Sequence, residues 1–203
     1  VMFLTSASQV KTKTIEKLVI SLETMTPDIL EFDIQLQGTV HLKYKPQDDQ
    51  ILRNMTYDAQ KTKKLYAYTS PFIVNKILKT SFINQIRTLE GFQVGHVSVT
   101  YELLNHAKTY IYVENPGVTL QLLDKPDIIG DMKQWDYLLK TMMRYAEWET
   151  IKDSIEYAYI WYMVTYLGSI LKAEKLTEDE LRWKLLIQER VMKLFPNWRQ
   201  NSM

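Results

Sequence analysis

The sequence predicts an α+β fold: an antiparallel sheet with one unusually long strand or ribbon and flanking helices over 1–125, then a helical C-terminal section over 126–203. Three observations carry this expectation. From Leu30 to Tyr44 every even-numbered residue except Gly38 is apolar (Leu30, Phe32, Ile34, Leu36, Val40, Leu42, Tyr44), and every odd-numbered one is polar or charged. Shorter runs at Val97–Leu103, Thr109–Val113 and Val118–Leu122 carry the alternation and β-rich composition of strands. From Asp127 onward apolar residues recur at helical spacing and strand signals stop.

Successive side chains of a strand point to opposite faces, so the Leu30–Tyr44 run predicts one buried face and one wet face. Unbroken, it would reach about 50 Å at ~3.3 Å per residue. A two-residue turn at Gln37-Gly38 would split the apolar set between two faces. Two solutions keep it together: a hairpin closed by Gln37-Gly38-Thr39, which pairs Leu36 with Val40, or one long strand kinked at Gly38. The long strand is the solution adopted in the fold prediction. Its unpaired edge would recruit other chains.

The remaining elements follow in order. Gln9–Met25 places Ile15, Leu18, Leu22 and Met25 on one helical face, and Thr26-Pro27 ends it. Gln47–Gln60 spaces Ile51, Leu52, Met55 and Ala59 as a helix. Ser70-Pro71 is a helix start, with serine as N-cap and proline where its missing N–H costs nothing, and the stripe Ile73, Val74, Ile77, Leu78, Phe82, Ile86, Leu89 runs on to Gly91. The alternation then predicts an antiparallel meander, with turns at Asn105–Lys108 and Asn115-Pro116-Gly117.

Pro126 marks the boundary to the helical section. Met132, Trp135, Leu139, Met142 and Ala146 form one stripe; Ile151, Ile155, Ala158, Tyr162 and Thr165 form another, out of register with the first, so a break falls between Tyr145 and Thr150. Thr177-Glu178-Asp179-Glu180 is a capping box opening a helix that carries Leu181, Leu185, Gln188, Met192 and Phe195 and stops at Pro196.

Composition bounds the function classes. The 203 residues hold 46% hydrophobic and 24% charged side chains, which suits a folded globular chain. A net charge of +1 provides no global attraction to nucleic acid or acidic membrane. There is no cysteine, which excludes disulfides, thiolate metal sites and cysteine nucleophiles. The first ten residues lack a signal-peptide pattern. The longest uncharged stretch, Tyr157–Leu171, is too short to span a bilayer and suits a buried helix, so stable membrane insertion is not expected. A virion or host-cytoplasm location is the expectation. The sequon Asn54-Met55-Thr56 fits a chance occurrence.

Catalytic signatures are weak. The chain has no G-x-S-x-G segment, phosphate-binding loop or dinucleotide fingerprint, and His41, His96 and His106 show no metal-ligand spacing, so no cofactor is expected. Asp48-Asp49, Glu147 with Glu149, and Glu178–Glu180 have structural explanations as turn residues or as charges suited to a helix N-terminus.

Two features point to partners. Between Asp58 and Glu90 there is no acidic residue, while Lys61, Lys63, Lys64, Lys76, Lys79 and Arg87 accumulate with Tyr66 and Tyr68 among them. Such a block would contact a polyanion or an acidic protein, unless acidic neighbours in the fold neutralise it. Tyr157, Tyr159, Trp161, Tyr162 and Tyr166 coat nearly all sides of a helix, as in a buried core element or a subunit interface.

The resulting expectation is a non-enzymatic structural subunit of a large assembly, in the form of a viral or phage virion component such as a ring, neck, connector or tail subunit. It would meet copies of itself and other subunits through the Leu30–Tyr44 run and the aromatic helix. The alternatives are a nucleic-acid-binding module using the basic 61–87 segment, and an accessory subunit of an organellar or membrane-associated complex.

Overall fold

The structure, a computed structural model, describes residues 1–4, 8–37, 42–44, 51–80, 96–121, 127–168 and 177–201. The chain is mixed α and β, and its six-stranded sheet is mixed rather than antiparallel. Its centre is a parallel pair, β2 (Ile29–Gln37) and β6 (Thr109–Gln121). Short antiparallel strands border this pair on each side. β1 (Ser8–Val10) and β4 (Thr56–Asp58) lie along the two halves of β6; β5 (Lys76–Leu78) and β3 (Leu42–Tyr44) lie along the two halves of β2.

The Leu30–Tyr44 run therefore folds back on itself and is not a single long strand. Ile34 faces Tyr44 and Leu36 faces Leu42 across the β2–β3 ladder. The pairing keeps even residues opposite even residues, as the apolar pattern demands, but it joins Leu36 to Leu42 rather than to Val40. Gly38, Val40 and His41 lie outside the described residues.

The unbroken strand is β6 instead, where the Asn115-Pro116-Gly117 signal had predicted a turn of a meander. Phe32 and Ile34 of β2 pair with Val113 and Val118 of β6, so six residues of β6 span the distance of three on β2. The extra length is a bulge, which re-aims the strand without reversing it. A close approach explains Gly117 within it: its carbonyl accepts a hydrogen bond from the Lys11 N–H at 2.8 Å. A Cβ there would sit 1.6 Å from Thr14 Oγ1.

Parallel strands are buried on both faces, and β2 obeys that rule. Its even residues Leu30, Phe32, Ile34 and Leu36 are fully buried, and so are Glu31 and Asp33 on the odd face that the alternation assigned to water. The segment Thr69–Lys76 covers that face.

Helix α1 (Thr12–Met25) ends at Thr26 in the left-handed conformation, as Thr26-Pro27 predicted. Three other local predictions fail. Residues 56–58, expected in a helix, form β4. The Ser70-Pro71 segment gives a 3₁₀ turn at Ile73–Asn75 and then β5 in place of a long helix; residues 81–95 lie outside the described set. The alternating Val97–Leu103 run belongs to helix α3 (His96–His106), which follows the short helix α2 (Leu65–Tyr68). Every residue from Val97 to Leu104 except Val99 is buried, so the helix is covered on nearly all sides and burial does not separate the period-two pattern from a helical one.

The C-terminal section is helical as predicted. α4 (Ile128–Met142) and α5 (Trp148–Ile160) are separated by a break at 143–147, and α5 passes into a π-helical stretch, Trp161–Leu167. α6 (Glu178–Leu194) opens with the complete capping box: Glu180 N–H donates to Thr177 Oγ1, and Thr177 N–H donates to Glu180 Oε2. The section packs on α2 and α3, through ring contacts of Tyr68 with Tyr157 at 5.4 Å and of Tyr101 with Trp135 at 5.5 Å, and so joins the core.

Candidate interaction surface

Charged side chains cluster inside the fold. Lys76 on β5 stands directly across the ladder from Glu31 on β2, which faces Tyr112 on β6. Lys76 Nζ lies 3.2 Å from Glu31 Oε2 and donates to the carbonyls of Ser70 (2.6 Å) and Phe72 (2.8 Å) and to Asn75 Oδ1 (3.1 Å). Glu31 also accepts from the Ser70 N–H and the Thr69 hydroxyl, and Asp33 accepts from the Tyr112 hydroxyl. Burial pushes the Lys76 ammonium below its ordinary range, opposed by the Glu31 carboxylate. Burial and the neighbouring Asp33 push the Tyr112 phenol up. With Glu31 0% and Lys76 1% exposed, this cluster ties β5 and its approach segment to the central strand and offers nothing to a substrate.

The basic 61–87 block is thus not one face. Lys76 points inward. Lys61 is exposed beside Asp58, Lys63 and Lys64 are half-buried, and Arg87 lies outside the described residues. Lys79 pairs with Asp28 at 2.6 Å. Burial works to raise the Asp28 pKa, but Lys79 and the N–H groups of Lys108 and Thr109 outweigh it and hold the carboxyl below its usual range.

The other chemical candidates do not converge. His106 is exposed at the end of α3, His41 and Asp48-Asp49 lie outside the described residues, and Glu147 and Glu149 are exposed around the start of α5. Among the described residues no group of three histidines or carboxylates could hold a metal ion. No helix among them is long and apolar enough to cross a membrane.

Most of the expected interface residues are core. Leu30, Phe32, Ile34 and Leu36 are fully buried; Leu42 and Tyr44 are placed by their backbone in β3, and Val40 is not described. Tyr159 and Tyr162 pack on Trp135 with ring centroids at 5.3 and 5.8 Å, and Tyr166 packs on Phe72 at 5.1 Å. Tyr157 and Trp161 are half-buried against the same core. The aromatic coat joins α5 and the π-helical stretch to α4, to Tyr68 of α2 and to Phe72.

An exposed apolar face exists elsewhere, on α6. Ile187 and Val191 are buried, with Trp183 and Leu186 half-buried beside them, and Arg190 bonds Asp136 of α4. Leu181, Leu185 and Met192 lie on the opposite side, 50%, 52% and 57% exposed, with Gln188 completing the row. The sequence identifies this row as the apolar stripe of the helix, and the structure turns it outward. α6 has two apolar rows, and the other one contains the branched residues that the core accepts. On one flank of the exposed row is an open cavity of about 500 Å³ between α6 and the π-helical stretch. Its walls include Met163, Val164, Ile187, Val191 and Met192, with Lys184 and Arg199 also lining it. A second, smaller exposed group, Ile15, Val19 and Ile20, lies on α1. No protein-family model and no curated protein matches the chain.

Proposed function

We propose that this chain acts as a subunit of a larger protein assembly, joined through the outward face of α6. The observation that carries this reading is the row Leu181, Leu185 and Met192, each at least half exposed on a helix whose opposite side is already packed. Large apolar groups on one helix face over three turns, interrupted by Gln188 alone and bordered by a largely apolar cavity, form the kind of patch that marks a protein contact. Scattered apolar side chains carry no such meaning.

The test is the size of the protein in a native extract of its own cells. The expected result is elution well above the 24.1 kDa of the chain, collapsing to the monomer position in a Leu185→Glu variant. Leu185 is half exposed, so the charge leaves the fold intact, as unchanged far-UV circular dichroism will verify. A wild-type chain that elutes as a monomer from the extract and also stays monomeric by light scattering when purified and concentrated refutes the reading.

A further inference from the structure

We propose that the occupant of the α6 face is the α6 helix of a second copy of the chain, packed antiparallel about a two-fold axis; the inference rests on the association reading above. In a two-fold contact one patch must complement itself, so residue i meets j and j meets i. The exposed row is spaced four, three and four residues apart (Leu181, Leu185, Gln188, Met192), the spacing of a coiled-coil seam. Placed antiparallel, it closes in two kinds of layer: Leu181 opposite the partner's Met192, and Leu185 opposite the partner's Gln188. The apolar ends of the row cap each other, and the polar glutamine meets a leucine near the axis.

The charges agree with this orientation. Arg182 and Glu189 lie one heptad apart on the same flank of the row, and both are exposed. The antiparallel arrangement sets Arg182 beside the partner's Glu189 on that flank, twice over by symmetry. Glu189 has no ion pair among the described residues, and Arg182 is held only by the exposed Glu178 at 2.9 Å. The acidic first turn, Glu178–Glu180, comes to lie near the partner's C-terminal turn with Lys193, and the two helix dipoles oppose each other. A parallel two-fold pair would instead turn this flank toward the partner's opposite flank, where Lys184 and Val191 lie, and would leave Arg182 without a partner carboxylate. On the other flank the cavity wall at Met163 and Val164 widens the apolar contact.

The contact is small. A 17-residue helix is about 25 Å long, and with a width of ~10 Å it covers far less than the ~800 Å² per partner of a standard interface. A dissociation constant on the order of tens of micromolar or weaker is expected, so the dimer fades on dilution.

The native chain has no cysteine, which makes the register directly testable. Leu181→Cys and Met192→Cys chains, one carrying a mass tag, are oxidised separately and as a mixture at high concentration, with wild-type mass followed by light scattering. The expected result is a cross-linked heterodimer from the mixture and none from either variant alone, because Leu181 and its own copy would be about 16 Å apart along the axis. Homodimers from the single variants, or a wild-type dimer that gives no cross-link in the mixture, overturn the antiparallel register while association stands. A purified chain that stays monomeric at every concentration overturns self-pairing. The association reading then survives only if the native extract still holds the protein in a complex that Leu185→Glu dissolves.

Discussion

Replacing Lys76 by methionine should cost this protein about 3–5 kcal/mol, the range for breaking one partner of a buried ion pair. Methionine nearly preserves the apolar stem, so the loss is electrostatic. Lys76 Nζ serves four acceptors: Glu31 Oε2, the carbonyls of Ser70 and Phe72, and Asn75 Oδ1. After the substitution Glu31 keeps only the Ser70 N–H at 2.8 Å and the Thr69 hydroxyl at 3.1 Å, and its charge lies in a site that is 0% exposed. Against a typical total of about 5–15 kcal/mol, the variant is left near the edge of folding. The assay is urea unfolding followed by tryptophan fluorescence, supported by a fall in Tm of roughly 6–20 °C.

The double variant Glu31→Gln/Lys76→Met removes both charges and should lose less than the two single losses together, by at least about 1 kcal/mol. Glu31→Gln alone adds a pH signature. Burial holds the Lys76 pKa below 10.5, so the unfolded chain binds this proton more tightly than the folded one, and stability rises with pH up to the unfolded value. Without its carboxylate neighbour the depression deepens, so the rise of stability with pH extends to lower pH. A Lys76→Met chain within 1 kcal/mol of wild type, or additive single losses, would refute the clamp.

Three further outcomes follow from other parts of the fold. Gly117→Ala drives a Cβ to within 1.6 Å of Thr14 Oγ1 and should cost about 1–3 kcal/mol in urea unfolding, partly recovered by Thr14→Ala. Thr177→Ala removes the side-chain half of the α6 capping box and should cost about 1 kcal/mol, read as faster amide exchange in the first turn of α6. Burial raises the Asp131 carboxyl to about 7 even though the Tyr162 hydroxyl donates to it at 2.9 Å. The folded chain therefore holds a proton that the unfolded chain has released, so this group's contribution to stability falls as pH rises from about 4 to 7. Asp131→Asn should flatten that decline, by less than about 4 kcal/mol at neutral pH because the half-buried carboxyl is partly solvated, and an unchanged pH profile would count against the assignment.

The helical C-terminal section was legible where the signal is local. The Thr177 capping box, the break before Thr150 and the stop at Thr26 are made by groups within a few residues of one another, so their energetics are written in short stretches of chain. The failures share a cause as well. Val97–Leu103 alternates by composition, yet it forms a helix buried on nearly all sides, with Trp135 of α4 packed on Tyr101. The Asn-Pro-Gly segment at 115–117 has turn chemistry, but partners on both sides of β6 hold the strand in line, so the extra residues bulge.

The expected working surfaces show the same division. Sequence alone determined that Ile34 and Leu36 share one face with Leu42 and Tyr44, because strand parity is a property of the backbone and the pairing of the two arms preserves it. It also determined that α6 is a capped helix with the row Leu181, Leu185 and Met192 on one side. Only the tertiary structure decided that Glu31 and Lys76 are buried together, that Tyr159, Tyr162 and Tyr166 serve the core, and that the α6 row faces outward. The physical reason is that periodicity specifies which side chains share a face, whereas the element that packs there, often from a distant part of the chain, determines whether that face is wet.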